Sequence, residues 1–463
     1  MEKSRGIRRF QRTKETIDTG FTVSDGNDKA AKEWLIQPGN NFCALPYVHM
    51  AIEANGDIRP CCMGSQFEDA DGNRINVNNM SIGEAINHPV RQEFIDAFDR
   101  NEKHPACKAC WRDTNDKNVS RVSFSTNVGA LEYTLRVMNG EPRKREIKWL
   151  EVKPGNRCNL KCRICGIHNS SLWTKDEFDL NMAKEYHGVE RDGMKFKESP
   201  EYNYTKSCDW IDKEDFWRTI NGLEEVRVLH FMGGEPFMVP EHFQLLQELI
   251  NDPSIDTSEI IVRYNTNGTT YPSEDQIKIL KQFKFIHFQI SIDDIGKRFE
   301  YQRKGGIWSE VEENINRFIK NRHIRSMHGP FRDGAWRVTL DPTISSFNVW
   351  YMEEFEAWAK TIEQEFNDRT FHVVKNGPNN MRNLPEAVKE KIREKYKDTK
   401  SLWIKTNLTY MDGTQHFDEG DTYRFFKIKN GIVDKLRKEK FSEVFPEWYE
   451  ILRDYGDFDD QSK

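Results

Sequence analysis

No stretch of this chain approaches the roughly 20 consecutive apolar residues that a bilayer-spanning helix needs. A secretory leader is missing too: Met1 to Lys14 is basic, but no apolar run follows it. Both absences point to the cytoplasm, where thiols stay reduced. There is little net charge of either sign, since 69 Lys and Arg face 75 Asp and Glu for a formal balance of -6. That balance leaves no electrostatic footprint for nucleic acid, and no membrane partner is expected. Repeats and low-complexity tracts are absent. An even cysteine count is absent as well: there are nine, which excludes a complete disulfide framework.

The chain does have aromatic residues, at 12 % of its 463 positions. They can fill a sizeable core even though the mean hydropathy is -0.80. Length alone suggests about two to four domains. Residues 1–40 read as an irregular charged leader. Residues 41–120 read as a small cysteine-bearing unit with a hairpin at Asn55-Gly56 and a helix over Ser81 to Arg100, opened by a Ser81/Glu84 capping box. From about Lys144 strands alternate with helices. The strands are expected at 147–152, 226–231, 260–264, 285–292, 336–340 and 371–374, with helices such as 242–250, 309–319 and 352–362 between them. That rhythm predicts an α/β fold with right-handed βαβ units and a parallel sheet. Six units are too few for a closed eight-unit barrel, so a partial (β/α)6 TIM-like barrel over 145–385 is expected, with a polar insertion at 178–212 and a helical C-terminal extension over 386–463.

Eight of the cysteines fall in groups, and in a reducing compartment grouped cysteines read as metal ligands. Cys158, Cys162 and Cys165 follow the first barrel strand as C-x3-C-x2-C. Three thiolates on one loop can hold three irons of a cubane and leave the fourth iron open. A structural zinc site normally takes four ligands, so zinc is the weaker reading of this spacing and coincidence the weakest.

The motif resembles the signature of the radical S-adenosylmethionine (radical SAM) superfamily, C-x3-C-x-φ-C with φ apolar, the place of Ile164. The resemblance implies a 4Fe-4S cluster whose open iron chelates S-adenosylmethionine (SAM). An electron from it then breaks a carbon–sulfur bond, giving methionine and a 5′-deoxyadenosyl radical that abstracts hydrogen from substrate. Four later features match the family in order. Gly233-Gly234-Glu235-Pro236 resembles the segment that binds the SAM amino group, and Thr266-Asn267-Gly268 one near the adenosyl pocket. Ser291 and Asp293 resemble ribose-binding positions, although Asp294 stands where relatives often have Gly. Arg303 matches an arginine that pairs with the SAM carboxylate. Cys158–Cys165, Gly233–Pro236, Thr266–Gly268 and Ser291–Asp293 all follow strands, at the rim where parallel barrels bind ligands.

Cys43, Cys61, Cys62, Cys107 and Cys110 precede the barrel. By spacing, four thiolates from a hairpin and a C-x-x-C loop suit a cluster or zinc about equally. C-x12-G-x4-C followed by one C-x-x-C resembles the SPASM motif in its reduced, twitch form, here placed ahead of the barrel. That resemblance implies an auxiliary 4Fe-4S cluster held by Cys43, Cys61, Cys107 and Cys110, passing electrons. Cys62 reads as the alternative to Cys61 or as a packing residue, and Cys208 as a lone free thiol. His49, His230 and His287 read as packed or hydrogen-bonded, and Glu151 and Lys153 as pocket lining without an assigned role.

SPASM and twitch enzymes often modify peptide or protein side chains, so the resemblance implies such a substrate and an electron donor of the flavodoxin or ferredoxin kind. Oxidation of a sugar or other small molecule is the alternative. A catalytically silent iron-sulfur or zinc-binding protein is a further one.

Overall fold

The computed structural model describes residues 27–112, 121–126, 130–182, 210–212, 222–321, 335–362, 372–374, 377–413 and 419–455. The first 26 residues of the leader, Cys208 and positions 183–209 of the expected insertion lie outside them.

The strands are β1 (His49–Ile52), β2 (Ile58–Arg59), β3 (Trp149–Val152), β4 (Lys161–Cys162), β5 (Val228–Phe231), β6 (Ile261–Thr266), β7 (Phe285–Ser291), β8 (Arg303–Lys304), β9 (Ala335–Asp341), β10 (Thr343–Ile344) and β11 (His372–Val373). Seven of them form one sheet in the order β2-β1-β3-β5-β6-β7-β9. Every pairing in it is parallel except the β1–β2 hairpin. The α/β fold with an unclosed, partly barrel-like sheet is therefore as the sequence predicts.

Two strand expectations change. The sixth strand, expected at 371–374, is not in the main sheet; β11 pairs with β10, just beyond the end of β9. The place at the other edge goes to β1, which pairs in parallel with β3 from His49↔Trp149 to Ile52↔Val152. The cysteine-bearing unit is thus built onto the barrel sheet. Its hairpin turns at Gly56, whose φ of +85° suits glycine. The expected single helix over 81–100 is two: Ile82–Ile86 with its capping box, and Pro89–Asp99. Pro89 disfavours helical geometry at His88, which is extended at ψ 135° and caps the second helix.

Helices His242–Asn251, Glu274–Leu280 and Trp308–Lys320 connect successive parallel strands. Leu245, Leu246 and Leu249, with Val311, Ile315 and Phe318, share one apolar core with Val262, Tyr264, Ile286, Phe288 and Val338 of the sheet. These strand residues alternate with polar ones, so period two sends the polar set to the opposite, barrel-interior face. The C-terminal helices Glu386–Lys395, Leu402–Met411 and Glu419–Arg437 complete the molecule, the last lying against Trp173–Met182. Among the described residues no helix is long and apolar enough to cross a membrane.

Candidate iron-sulfur and SAM site

The loop after β3 folds tightly because its polar groups bond within it. Ser170 Oγ donates to the Leu160 carbonyl at 2.6 Å, Asn156 Nδ2 to Ile167 at 3.0 Å, and Trp173 Nε1 to Cys162 at 3.0 Å. β4 within the loop pairs antiparallel with β8, which sets Cys162 opposite Arg303. Arg303 Nη1 lies 3.8 Å from Cys162 Sγ, and the Asn267 amide lies 3.8 Å from Cys158 Sγ. The Leu160 amide also donates to Cys158 Sγ at 3.4 Å. Cys158 thus meets two N–H donors and Cys162 a guanidinium, which offsets thiolate charge, while Cys165 Sγ lies 3.7 Å from the Gly166 carbonyl. Burial pushes the Cys158 thiol up to about 11 and raises Cys162 and Cys165, so without a bound metal these groups hold their protons. Ile164 packs against the apolar core.

Gly233 and Gly234 follow β5 with φ of +75° and +56°. A Cβ on Gly234 would lie 2.4 Å from the Arg157 carbonyl oxygen, so only glycine lets this turn approach the cysteine loop. Glu235 is fully buried and caps the short turn Pro236–Met238. Its carboxyl accepts from Thr266 Oγ1 at 2.8 Å and the Asn267 amide at 2.7 Å, tying the β5 and β6 ends together. Burial pushes it up to about 7 against those hydrogen bonds. Asn267 in turn donates to Asn159 at 2.9 Å. Ser291 is half-buried at the end of β7. Asp293 is engaged by Arg303, with Nη2 to Oδ1 at 3.0 Å and Nε to Oδ2 at 2.9 Å. These two residues, expected to contact different parts of SAM, stand as one ion pair beside Cys162.

Cys43, Cys61, Cys107 and Cys110 line one hollow with Phe94 and Trp111. Cys107 ends the turn Pro105–Cys107, which His104 caps, and Cys110 follows on the helix Lys108–Arg112. Cys62 is exposed and does not line the hollow; the charges of Glu151, Arg59 and Lys153 act on it. Arg121, held by the carbonyls of Phe42, Leu35 and Asn40, supplies positive charge to Cys43 and Cys110. Zinc in a tetrahedral site binds sulfur at about 2.3 Å, which requires tightly gathered thiolates. Among the described residues no three His, Cys, Asp or Glu side chains gather closely enough to ligate one metal ion.

A family model for the radical SAM superfamily matches residues 152–330, and one for an iron-sulfur cluster-binding domain, SPASM, matches residues 43–111. The chain belongs to the radical SAM superfamily. The SPASM match opens on Cys43 and closes just past Cys110, so it spans all four cysteines that line the hollow. A radical SAM domain brings a 4Fe-4S cluster and SAM, and a SPASM domain adds auxiliary iron-sulfur. No curated protein matches this radical SAM chain. Among solved structures it is similar to native anSMEcpe with bound AdoMet and Cp18Cys peptide, at 20 % identity over 47 % of this chain and 49 % of that one, with a TM-score of 0.29. It is also similar to Streptococcus suis SuiB bound to S-adenosylmethionine, at 13 % identity over 81 % and 76 % of the two chains, with a TM-score of 0.31. The chain spans 49 % to 62 % of the length of the anSMEcpe chains it matches.

The barrel interior holds residues that sequence reasoning set aside. Glu151, His230, Arg263, His287 and Arg337 are register partners on five adjacent strands. Burial works against the Glu151 carboxylate, but the hydrogen bond and charge of His49, with His230 and Lys153, hold it down at about 2. Burial and the charge of Arg263 push His230 down to about 4. Lys153 and Arg59 both reach Glu53, at 2.8 and 3.0 Å, across the β1–β3 seam. The signal for this lining was the polar member of each alternating strand.

Proposed function

We propose that this protein is an enzyme that cleaves SAM reductively at a cluster ligated by Cys158, Cys162 and Cys165, and that it modifies a side chain of a peptide or protein. The observation that carries the reading is one loop presenting three thiols at the C-terminal rim of a parallel sheet, faced by the Gly233-Gly234 turn. Bound cluster and SAM together supply a one-electron reduction that breaks a carbon–sulfur bond and yields a hydrogen-abstracting 5′-deoxyadenosyl radical.

The chain's own residues position and shield that chemistry. Gly233 and Gly234 let backbone approach the cofactor. Glu235, Thr266 and Asn267 hold two strand ends at one height, and Asn267 reaches the Cys158 sulfur. Arg303, aimed by Asp293, balances charge at Cys162 and can meet the SAM carboxylate. Cys43, Cys61, Cys107 and Cys110 ligate the auxiliary cluster, which takes up or supplies the leftover electron, and a flavodoxin or ferredoxin primes the site. The sheet does not close into a complete barrel, which favours an extended substrate such as a peptide. The hydrogen-bonding interior also suits a sugar or other small polar molecule, the second reading.

Anaerobic reconstitution with SAM and dithionite tests this. The expected result is 5′-deoxyadenosine and about eight irons per chain for two four-iron clusters. Equal product from the Cys158→Ala, Cys162→Ala and Cys165→Ala variants refutes it.

A further inference from the structure

Parallel barrels normally fill their interior with branched apolar side chains. Here Trp149, Ile261 and Phe285 do so at the lowest level, and the next level up carries charge. Arg263 stands at its centre, between His230 and His287 in register. Its guanidinium makes one hydrogen bond, from Nη2 to the neutral Gln289 Oε1 at 2.9 Å, and its Nε is buried without a partner. Arg121, Arg163, Arg303 and Arg437 also leave a buried nitrogen without a hydrogen bond, but each has a carboxylate or backbone-carbonyl partner that Arg263 lacks. Arg163, Arg303 and Arg437 meet carboxylates, while Arg91 and Arg121 meet backbone carbonyls.

Nearby acids are committed elsewhere. Glu151 faces His49 at 3.7 Å, and Asp341 accepts from Gln289 Nε2 at 2.8 Å. Among the described residues no carboxylate oxygen comes within 4.0 Å of the Arg263 guanidinium. Arg263 is half-buried, and its Nε, buried without a partner, is a donor that a ligand can satisfy. Its planar fork fits a carboxylate in two parallel hydrogen bonds. Arg263 lies on the same strand face as Asn265, and Asn267 follows beside the cluster loop. Four residues at about 3.3 Å each put that loop roughly 13 Å above Arg263, the distance a substrate anchored there would span to reach the radical site.

We infer that Arg263 is the specificity-determining anchor for a carboxylate on the substrate, so that the enzyme takes an acidic peptide group and presents the carbon above it to the radical site. The carboxylate belongs to an Asp or Glu side chain or to a chain terminus. The inference rests on the reading that the barrel interior receives substrate.

Three probes separate the sources: N-acetylglutamate amide, N-acetylalanine with a free carboxylate, and neutral N-acetylglutamine amide. Each is titrated into the reconstituted protein with SAM, and both the melting temperature and 5′-deoxyadenosine formation are followed. One carboxylate probe is expected to raise the melting temperature and change product formation, while the neutral one does neither. Arg263→Gln and Arg263→Met are expected to need roughly 10- to 100-fold more probe for the same melting shift. Arg263→Lys keeps the charge without the fork and should retain a weakened response. An equal shift in wild type and Arg263→Gln overturns the anchor, as does no shift with any probe. So does a several-degree fall in the probe-free melting temperature of both neutral variants, which would make Arg263 structural. Failure of wild type to form 5′-deoxyadenosine would refute the activity instead, and the melting shift would still decide the anchor.

Discussion

Replacing Arg163 by methionine should loosen the cluster loop from the C-terminal helices. Arg163 lies between Cys162 and Cys165, and its side chain has 0 % exposure. Its guanidinium pairs with Asp434 and reaches Glu439 at 2.7 Å, stacks 3.6 Å from the Tyr301 ring centre, and donates from Nε to the Tyr301 carbonyl at 3.1 Å. Glu439 keeps Lys304 at 2.9 Å after the substitution, but Asp434 keeps only neutral donors, Tyr301 Oη at 2.8 Å and the Phe441 amide at 3.0 Å. Removing one member of a buried ion pair costs about 3–5 kcal/mol. With about 2.1 cal/mol/K per residue, 463 residues give an unfolding entropy near 1 kcal/mol/K, so the melting temperature should fall by about 3–5 °C. Burial already pushes the Asp434 carboxyl up, and losing the guanidinium pushes it further. The variant's native state therefore binds a proton more readily, and its deficit should shrink as pH falls. Adding Asp434→Leu should recover part of the loss. Anaerobic melting and the iron retained against a chelator are the readouts. Unchanged melting and iron retention, or a double variant worse than the sum of the singles, would refute the reasoning.

Gly234→Ala places a Cβ 2.4 Å from the Arg157 carbonyl at a φ of +56°. The strain costs about 1–3 kcal/mol, and equilibrium dialysis should show roughly tenfold weaker SAM binding. Cys107→Ser should lose about four irons per chain and Cys62→Ser none, checked by iron and sulfide analysis. Glu235 rises from 4.5 to about 7 on folding because of burial. The native state then holds a proton that the unfolded chain releases, so this contribution is complete below pH 4.5 and is lost as pH rises through about 7. Glu235→Gln should flatten the fall in unfolding free energy between pH 5 and 8; a slope equal to wild type would refute the assignment.

Cys158, Cys162 and Cys165 were legible as one thiol-bearing loop at the end of a strand because their spacing is local. The strand–helix rhythm was legible for the same reason, since periodicity is a property of neighbours in the chain. Cys62, adjacent to Cys61 and left open by the sequence, lies outside the hollow that the other four cysteines line. Contacts across the chain were another matter. β1 joins the barrel edge through a parallel pairing to β3, nearly 100 positions later, and β11 finds β10 rather than the main sheet. Arg303 and Asp293 matched separate motif positions, yet the helix Gly296–Gln302 between them brings the two together as one ion pair.

The sequence by itself determined the cluster loop, the alternating strands and the residues that share each strand face, because all three depend on separations of a few residues. Only the tertiary structure decided which face became the barrel interior and who stands next to whom there. Arg263 shows the difference: in Ile260 to Tyr264 it is one polar residue in an alternating strand, and a solvated position would suit it. Its half-buried place between His230 and His287 arises from the register of three strands, and that register leaves its Nε unpartnered on the barrel-interior face.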